Sequence, residues 1–185
     1  MKVEYINPFL VSMISVFETM LECSLARGTP FLKDSAHPDY EVSGVIGLSG
    51  KAKGVVVLSL CREAALSATE VMLGERPPQI NADVTDAVGE LTNMVAGGAK
   101  AKLAHLAMSV SLPTVVVGKW HSIEFPKSIV PICIPFDSPW GPVAATVGLI
   151  EQQLPAGDDR GTGLVVEPSA EASSPPPRAN QHTLP

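Results

Sequence analysis

Charge is scarce in this chain of 185 residues, and cationic charge scarcer still. Only 17% of residues are charged, and 13 Lys and Arg against 19 Asp and Glu leave a net charge of −6. That balance argues against a nucleic-acid grip, which needs clustered cations, and it suits a partner that brings basic groups. Cysteine is limited to Cys23, Cys61 and Cys133, far apart and with no CxxC pair. This leaves no disulfide framework or zinc site and points to reduced thiols in a cytoplasmic protein. Cys61 opens a helix, where a thiolate is stabilised, but no His is near it in sequence, so a buried structural thiol is expected. His37, His105, His121 and His182 are dispersed, none at metal-ligand spacing, and no metal of the chain's own is expected. No run reaches the ~18 apolar residues needed to cross a bilayer. The apolar N-terminus is broken by Glu4 and Glu18 and is periodic, unlike a signal peptide. GxSxG, P-loop and GxGxxG motifs are missing too, since Gly44-x-x-Gly47-x-x-Gly50 has the wrong spacing and falls in a hairpin.

Apolar residues are plentiful at 45%, enough for one domain of roughly 150 residues. Asn7-Pro8 predicts a helix start, with Asn7 as cap and an Ile6–Val11 staple. Phe9, Leu10, Met13, Ile14, Phe17, Met20 and Leu21 continue it with helical period to about Cys23. Residues 40–48 and 54–60 read as a hairpin around Ser49-Gly50-Lys51. Residues 62–73 read as a helix closed by Gly74, and Pro77-Pro78 breaks the chain before a second helix capped by Asn81 or Asp83. Strands are predicted at 114–124, at 128–136, where Pro131 and Pro135 imply an edge or bulge, and at 143–150 after the turn at 137–141. The order α-β-β-α-α-β-β-β predicts an α+β domain with a largely antiparallel sheet packed by helices, spanning residues 1–152. Residues 153–185 are rich in Pro, Ala and Ser, lack aromatics and include Pro175-Pro176-Pro177. A flexible tail is expected there, because such a segment cannot offset its ordering entropy.

The stretch 83–100 is the most informative. At 100° per residue, Val84, Val88, Leu91, Val95 and Leu106 form an apolar stripe, while Asp86, Glu90, Asn93 and Gly97 fall on the opposite side. Glu90 and Asn93 are three apart, so their side chains are neighbours. Gly89, Gly97 and Gly98 stand beside them. An exposed helical Gly costs about 1 kcal/mol against Ala; what three of them offer is a surface low enough for another molecule to reach the carboxylate and the amide. The pair includes no nucleophile. An amide both donates and accepts, so it can hold a water in line for attack on a group activated elsewhere, and a carboxylate can accept a partner's cation.

Three segments, Tyr5-Ile-Asn-Pro-Phe9, Met72-Leu-Gly74 and Glu90-Leu-Thr-Asn93-Met-Val-Ala-Gly97, occur in order on that plan. Together they resemble the CheX-type chemotaxis phosphatases of the wider CheC/CheX/FliY group, over about residues 1–150. The resemblance implies a CheC-like fold and a phosphatase that hydrolyses the aspartyl phosphate of a CheY-like response regulator. It implies that Asn93 positions the attacking water and that Glu90 pairs with the regulator's active-site Lys. Asp86, Gly89, Gly97 and Lys100 would form the docking surface, with Pro113 as the downstream proline of the family pattern. The chain would need no cofactor of its own, because the regulator supplies Mg2+. A single motif favours the CheX arrangement, a homodimer with one site per subunit. It would be cytoplasmic, with no nucleic-acid partner and no membrane insertion. Two other readings stand beside it, of which only the first uses this face. In one, the chain is a non-catalytic binding module for a response regulator or a flagellar or two-component partner; in the other, it is a structural subunit joined through its edge strands.

Overall fold

The structure, a computed structural model, describes residues 3–33 and 39–152; the tail expected at 153–185, His37 and His182 lie outside them. The chain enters through a 3-10 turn, Val3–Tyr5, into α1 (Asn7–Leu21). The expected Asn7 cap is not made. Ile6 already has helical dihedrals, and its carbonyl accepts the N–H of Phe9 and Leu10 at 3.0 and 3.1 Å. A chain that arrives helical needs no capping side chain. Val11, expected to staple onto Ile6, is exposed. Two short strands follow, β1 (Ala26–Arg27) and β2 (Phe31–Leu32), then the hairpin β3 (Val42–Ser49) and β4 (Ala52–Leu60). Helix α2 (Arg62–Leu73) ends on Gly74 at φ 81°, the left-handed cap that glycine adopts without a Cβ penalty. After α3 (Ala82–Lys102) and a 3-10 turn (Ala104–Leu106) come β5 (Ser109–Val110), β6 (Thr114–Val117), β7 (Ile132–Ser138) and β8 (Gly141–Glu151).

All pairings are antiparallel. The sheet order is β1-β7-β8-β4-β3-β5, with β2 also on β7 and β6 also on β3. The α+β class and the order of long elements are as read from sequence, with the short β1, β2 and β5 added. Pro135 explains why β1 and β2 are separate. It has no N–H to give, and Gly28, between the two short strands, donates one bond to its carbonyl at 2.9 Å.

One face of the sheet carries Val42, Ile46, Val56, Leu58, Val143, Ala145 and Val147, all buried with apolar residues of the three helices. Residues 118–124, expected to continue β6, and 128–131, expected to start β7, are not strand, and the segment 118–131 instead crosses the other face. A Cβ on Gly148 would stand 2.9 Å from Phe125 and closer still to Ile129, so this glycine leaves room for the covering segment. Polar clasps hold it. His121 bonds Ser43 Oγ through Nε2 at 2.8 Å and the Gly118 carbonyl through Nδ1 at 2.7 Å. Ser43 Oγ bonds Ser59 Oγ at 2.9 Å. Asp39 receives the Ile123 N–H at 3.0 Å and pairs with Lys33 at 2.9 Å, both side chains more than nine-tenths buried.

Candidate functional site

Helix α3 is built as the sequence implies. Asn81, in extended conformation, accepts the Val84 N–H at 3.2 Å and caps it. Asp83 in the first turn, with Lys100 and Lys102 in the last, complements the helix dipole. Val84, Val88, Leu91 and Val95 are fully buried; Leu106, expected on the same helical stripe, is buried too but sits in the 3-10 turn after the helix has ended at Lys102. Leu91 and Thr92 face the core, where Thr92 Oγ1 donates to the Val88 carbonyl at 2.6 Å. A Cβ on Gly44 would run into Thr92, so β3 and α3 approach each other through a glycine. This close contact fixes the height of α3 above the sheet.

Of the predicted residues, Asp86 and Glu90 are exposed and Asn93 is half-buried. Asp86, Gly89 and Glu90 meet in a depression of about 440 Å³, completed by Thr85, Pro113 and Val115. Gly89 is not exposed as expected: it is buried beneath Pro113 and Val115, each 3.6 Å from where its Cβ would be. Its small size therefore lowers the floor of this depression. Gly97 and Lys100 line a second depression of about 430 Å³ with Ala101, Ala104, Met108 and Val110. Asn93 lies between them in the helix register, three residues after Glu90 and four before Gly97. A Cβ on Gly97 would meet nothing within 4 Å, consistent with an open approach. Gly98 is different. A methyl there would collide with Ser12 of α1, so it serves helix packing and is not part of the open face.

Pro113 is brought over the site by the chain reversal after α3. The apolar members of the second depression, Met108 and Val110, were missed in the sequence. They arrive from β5 and the turn before it, and only Ala101, at i+4 from Gly97, carried a local signal. The thiols lie elsewhere and are free. Burial pushes Cys23 and Cys133 up. Cys61, expected to be buried, is half-buried ahead of α2, where its Sγ donates to the Trp140 carbonyl at 3.5 Å. Among the described residues, no group of three or more His, Cys, Asp or Glu is placed to hold a metal, and no helix is long and apolar enough to cross a membrane.

The family model described as chemotaxis phosphatase CheX matches residues 42–137, more than half of the chain and all of α3. The chain belongs to the CheX chemotaxis phosphatase family. A relative from Thermotoga maritima named CheY-P phosphatase CheX is 30% identical over 122 residues, covering 64% of this chain and 79% of that protein. The crystal structure of chemotaxis protein CheX from Vibrio vulnificus is similar at a TM-score of 0.75 and 38% identity, covering 80% of this chain and 100% of that one. The same CheX fold recurs in a complex of CheX with CheY, BeF3 and Mg2+ from Borrelia burgdorferi. That chain has a TM-score of 0.67 and 24% identity, with 81% of this chain and 100% of that one covered.

Proposed function

We propose that this CheX family member is a cytoplasmic phosphatase that hydrolyses the aspartyl phosphate of a CheY-like response regulator, and that residues 1–152 carry the activity. The observation that supports it most is the placement of Asn93. It stands half-buried on the one face of α3 that turns away from the core, next to the exposed Glu90 and between two depressions that leave room for a partner.

Docking brings the regulator's Lys to Glu90, a charge-assisted contact that anchors and orients the partner. The Asn93 amide then reaches the phosphoryl group. Its carbonyl oxygen accepts a hydrogen bond from the attacking water and its N–H2 donates to a phosphoryl oxygen, so the water lone pair is held in line with the scissile P–O bond. Water adds to phosphorus, the bond to the regulator's aspartyl oxygen breaks, and the carboxylate and inorganic phosphate leave. The acyl phosphate is already activated, so positioning suffices for most of the acceleration. Charge on the phosphoryl oxygens would be offset by Mg2+ held on the regulator, so none of this chain's residues is needed as a metal ligand. Asp86 supports docking. The chain acts as a homodimer with one site per subunit, joined through the outer edge of the sheet, where Leu112 and Val117 of the β6 region are exposed.

The test is phosphate release from phosphorylated CheY-like regulators of the same genome. Wild type should shorten the phosphate lifetime, and Asn93→Ala should remove about 100-fold of that acceleration with the melting temperature kept within a few degrees. Stoichiometric binding with an unchanged phosphate lifetime would instead make the chain a non-catalytic binding module. Light scattering that shows a monomer at micromolar concentration would refute the dimer.

A further inference from the structure

The two depressions along α3 differ in chemistry. The one before Asn93 is bordered by Asp86 and Glu90. The one after it has a floor of Gly97, Ala101 and Ala104, walls of Met108 and Val110, and a single charge, Lys100. Among the described residues Lys100 has no ion-pair partner, although it is half-buried. The helix dipole alone does not require it there, because Lys102 in the same turn is exposed and meets that need. Gly97 is equally unexplained by the fold. No atom within 4 Å of its Cβ position forbids Ala, yet Gly weakens a helix interior. Gly98 next to it, by contrast, is demanded by Ser12.

We propose that the depression beyond Asn93 receives an apolar side chain of the docked regulator, and that Lys100 on its rim pairs with a carboxylate beside that side chain. It rests on the reading of α3 as the regulator-docking helix. The face would then run from acidic, through the amide, to basic. A regulator offering Lys at one end and a carboxylate flanked by an apolar residue at the other would fit in one orientation only, because the reversed pose sets like charges together. Gly97 keeps the floor deep enough for the side chain to enter.

The experiment uses the full chain and the CheY-like regulator that gives turnover in the phosphate-release assay. Gly97→Leu fills the depression with a good helix former. It should raise KM roughly tenfold or more while kcat stays within about twofold, with an equal or higher melting temperature. Gly97→Ala should raise KM less and in the same direction. Lys100→Ala should raise KM and flatten its dependence on salt, as loss of one steering pair does. An unchanged KM in both Gly97 variants, or a fall in kcat alone, would overturn the inference, as would a salt dependence identical to wild type in Lys100→Ala. A shifted oligomeric state with KM unmoved would assign the depression to a second copy and overturn it as well. Asn93→Ala in the same assay tells the two readings apart. If it abolishes turnover while the Gly97 and Lys100 variants behave as wild type, only the occupant is wrong; if it retains turnover, the phosphatase mechanism itself fails.

Discussion

Gly97 and Gly98 are adjacent in α3, yet the same substitution should stabilise the fold at the first and not at the second. Gly→Ala in a helix interior gains roughly 0.5–1 kcal/mol. At Gly97 nothing opposes that gain, since no atom lies within 4 Å of the new methyl. Gly97→Ala should therefore raise the melting temperature by about 1–4 °C for a domain of this size. At Gly98 the methyl collides with the Ser12 hydroxyl, which is buried and donates to the Val95 carbonyl at 2.9 Å. Ser12 must rotate away and lose that bond inside the α1–α3 contact, at a cost of about 1–3 kcal/mol. Gly98→Ala should accordingly fall between neutral and about 2.5 kcal/mol destabilised, with the propensity gain included. Removing the obstacle should reverse the sign. In a Ser12→Ala background the new methyl faces only the Cβ of residue 12, 3.4 Å away, and Gly98→Ala should then be stabilising. Urea unfolding of the four proteins gives the coupling, expected at about 1 kcal/mol or more. Zero coupling, or a Gly98→Ala that stabilises the wild type as much as Gly97→Ala does, would show that the two helices do not meet through this glycine.

Breaking the Lys33–Asp39 pair from one side, by Asp39→Ala, leaves a buried ammonium and frees the Ile123 N–H; urea unfolding should show a loss of about 3–5 kcal/mol, and a loss below about 1 kcal/mol would mean the pair is not buried in solution. Gly44→Ala pushes its methyl into Thr92 and should cost about 1–3 kcal/mol while also lowering phosphatase activity, because β3 sets the height of the helix that carries Glu90 and Asn93. Glu90→Gln keeps the shape and removes the charge, so KM for the regulator should rise about tenfold with stability unmoved; equal KM would deny the Lys contact. Cys23 and Cys133 are pushed up by burial from the ordinary thiol value of 9.0. Above that value the unfolded chain releases thiol protons that the folded chain still holds, so the two thiols should lower the urea midpoint as pH rises above about 9 and leave it unaffected below; a midpoint that rises above about pH 9 would contradict the burial. Under native conditions a thiol reagent should label Cys61 first and reach the other two only on unfolding.

The parts of the fold that were legible in the sequence are those fixed by a residue and its immediate neighbours. Helix α2 ends where Gly74 supplies the left-handed cap, and Asn81 caps α3 because its side chain reaches an N–H three residues on. The hairpin Val42–Ser49 with Ala52–Leu60 follows from a loosely alternating segment and a β-branched run around Gly50. Wherever a distant contact decides, the local signal gave out. Residues 118–124 carry no mark that they leave β6 to cover the far face; the mark is Gly148, far along the chain in β8, whose missing Cβ admits Ile129 and Phe125. The candidate site divides the same way. The period of α3 separated Glu90 and Asn93 from the buried stripe, because the angle between residues is a property of the helix alone. Three glycines on one helix, however, have three different reasons, and each depends on what lies opposite: Pro113 over Gly89, open space over Gly97, Ser12 against Gly98. A glycine in sequence reports that something must come close without saying whether that something belongs to the same chain. Once the fold accounts for Gly98 and places Gly89 under Pro113, Gly97 is the position left without an internal partner, and its open side is free for a second molecule to enter.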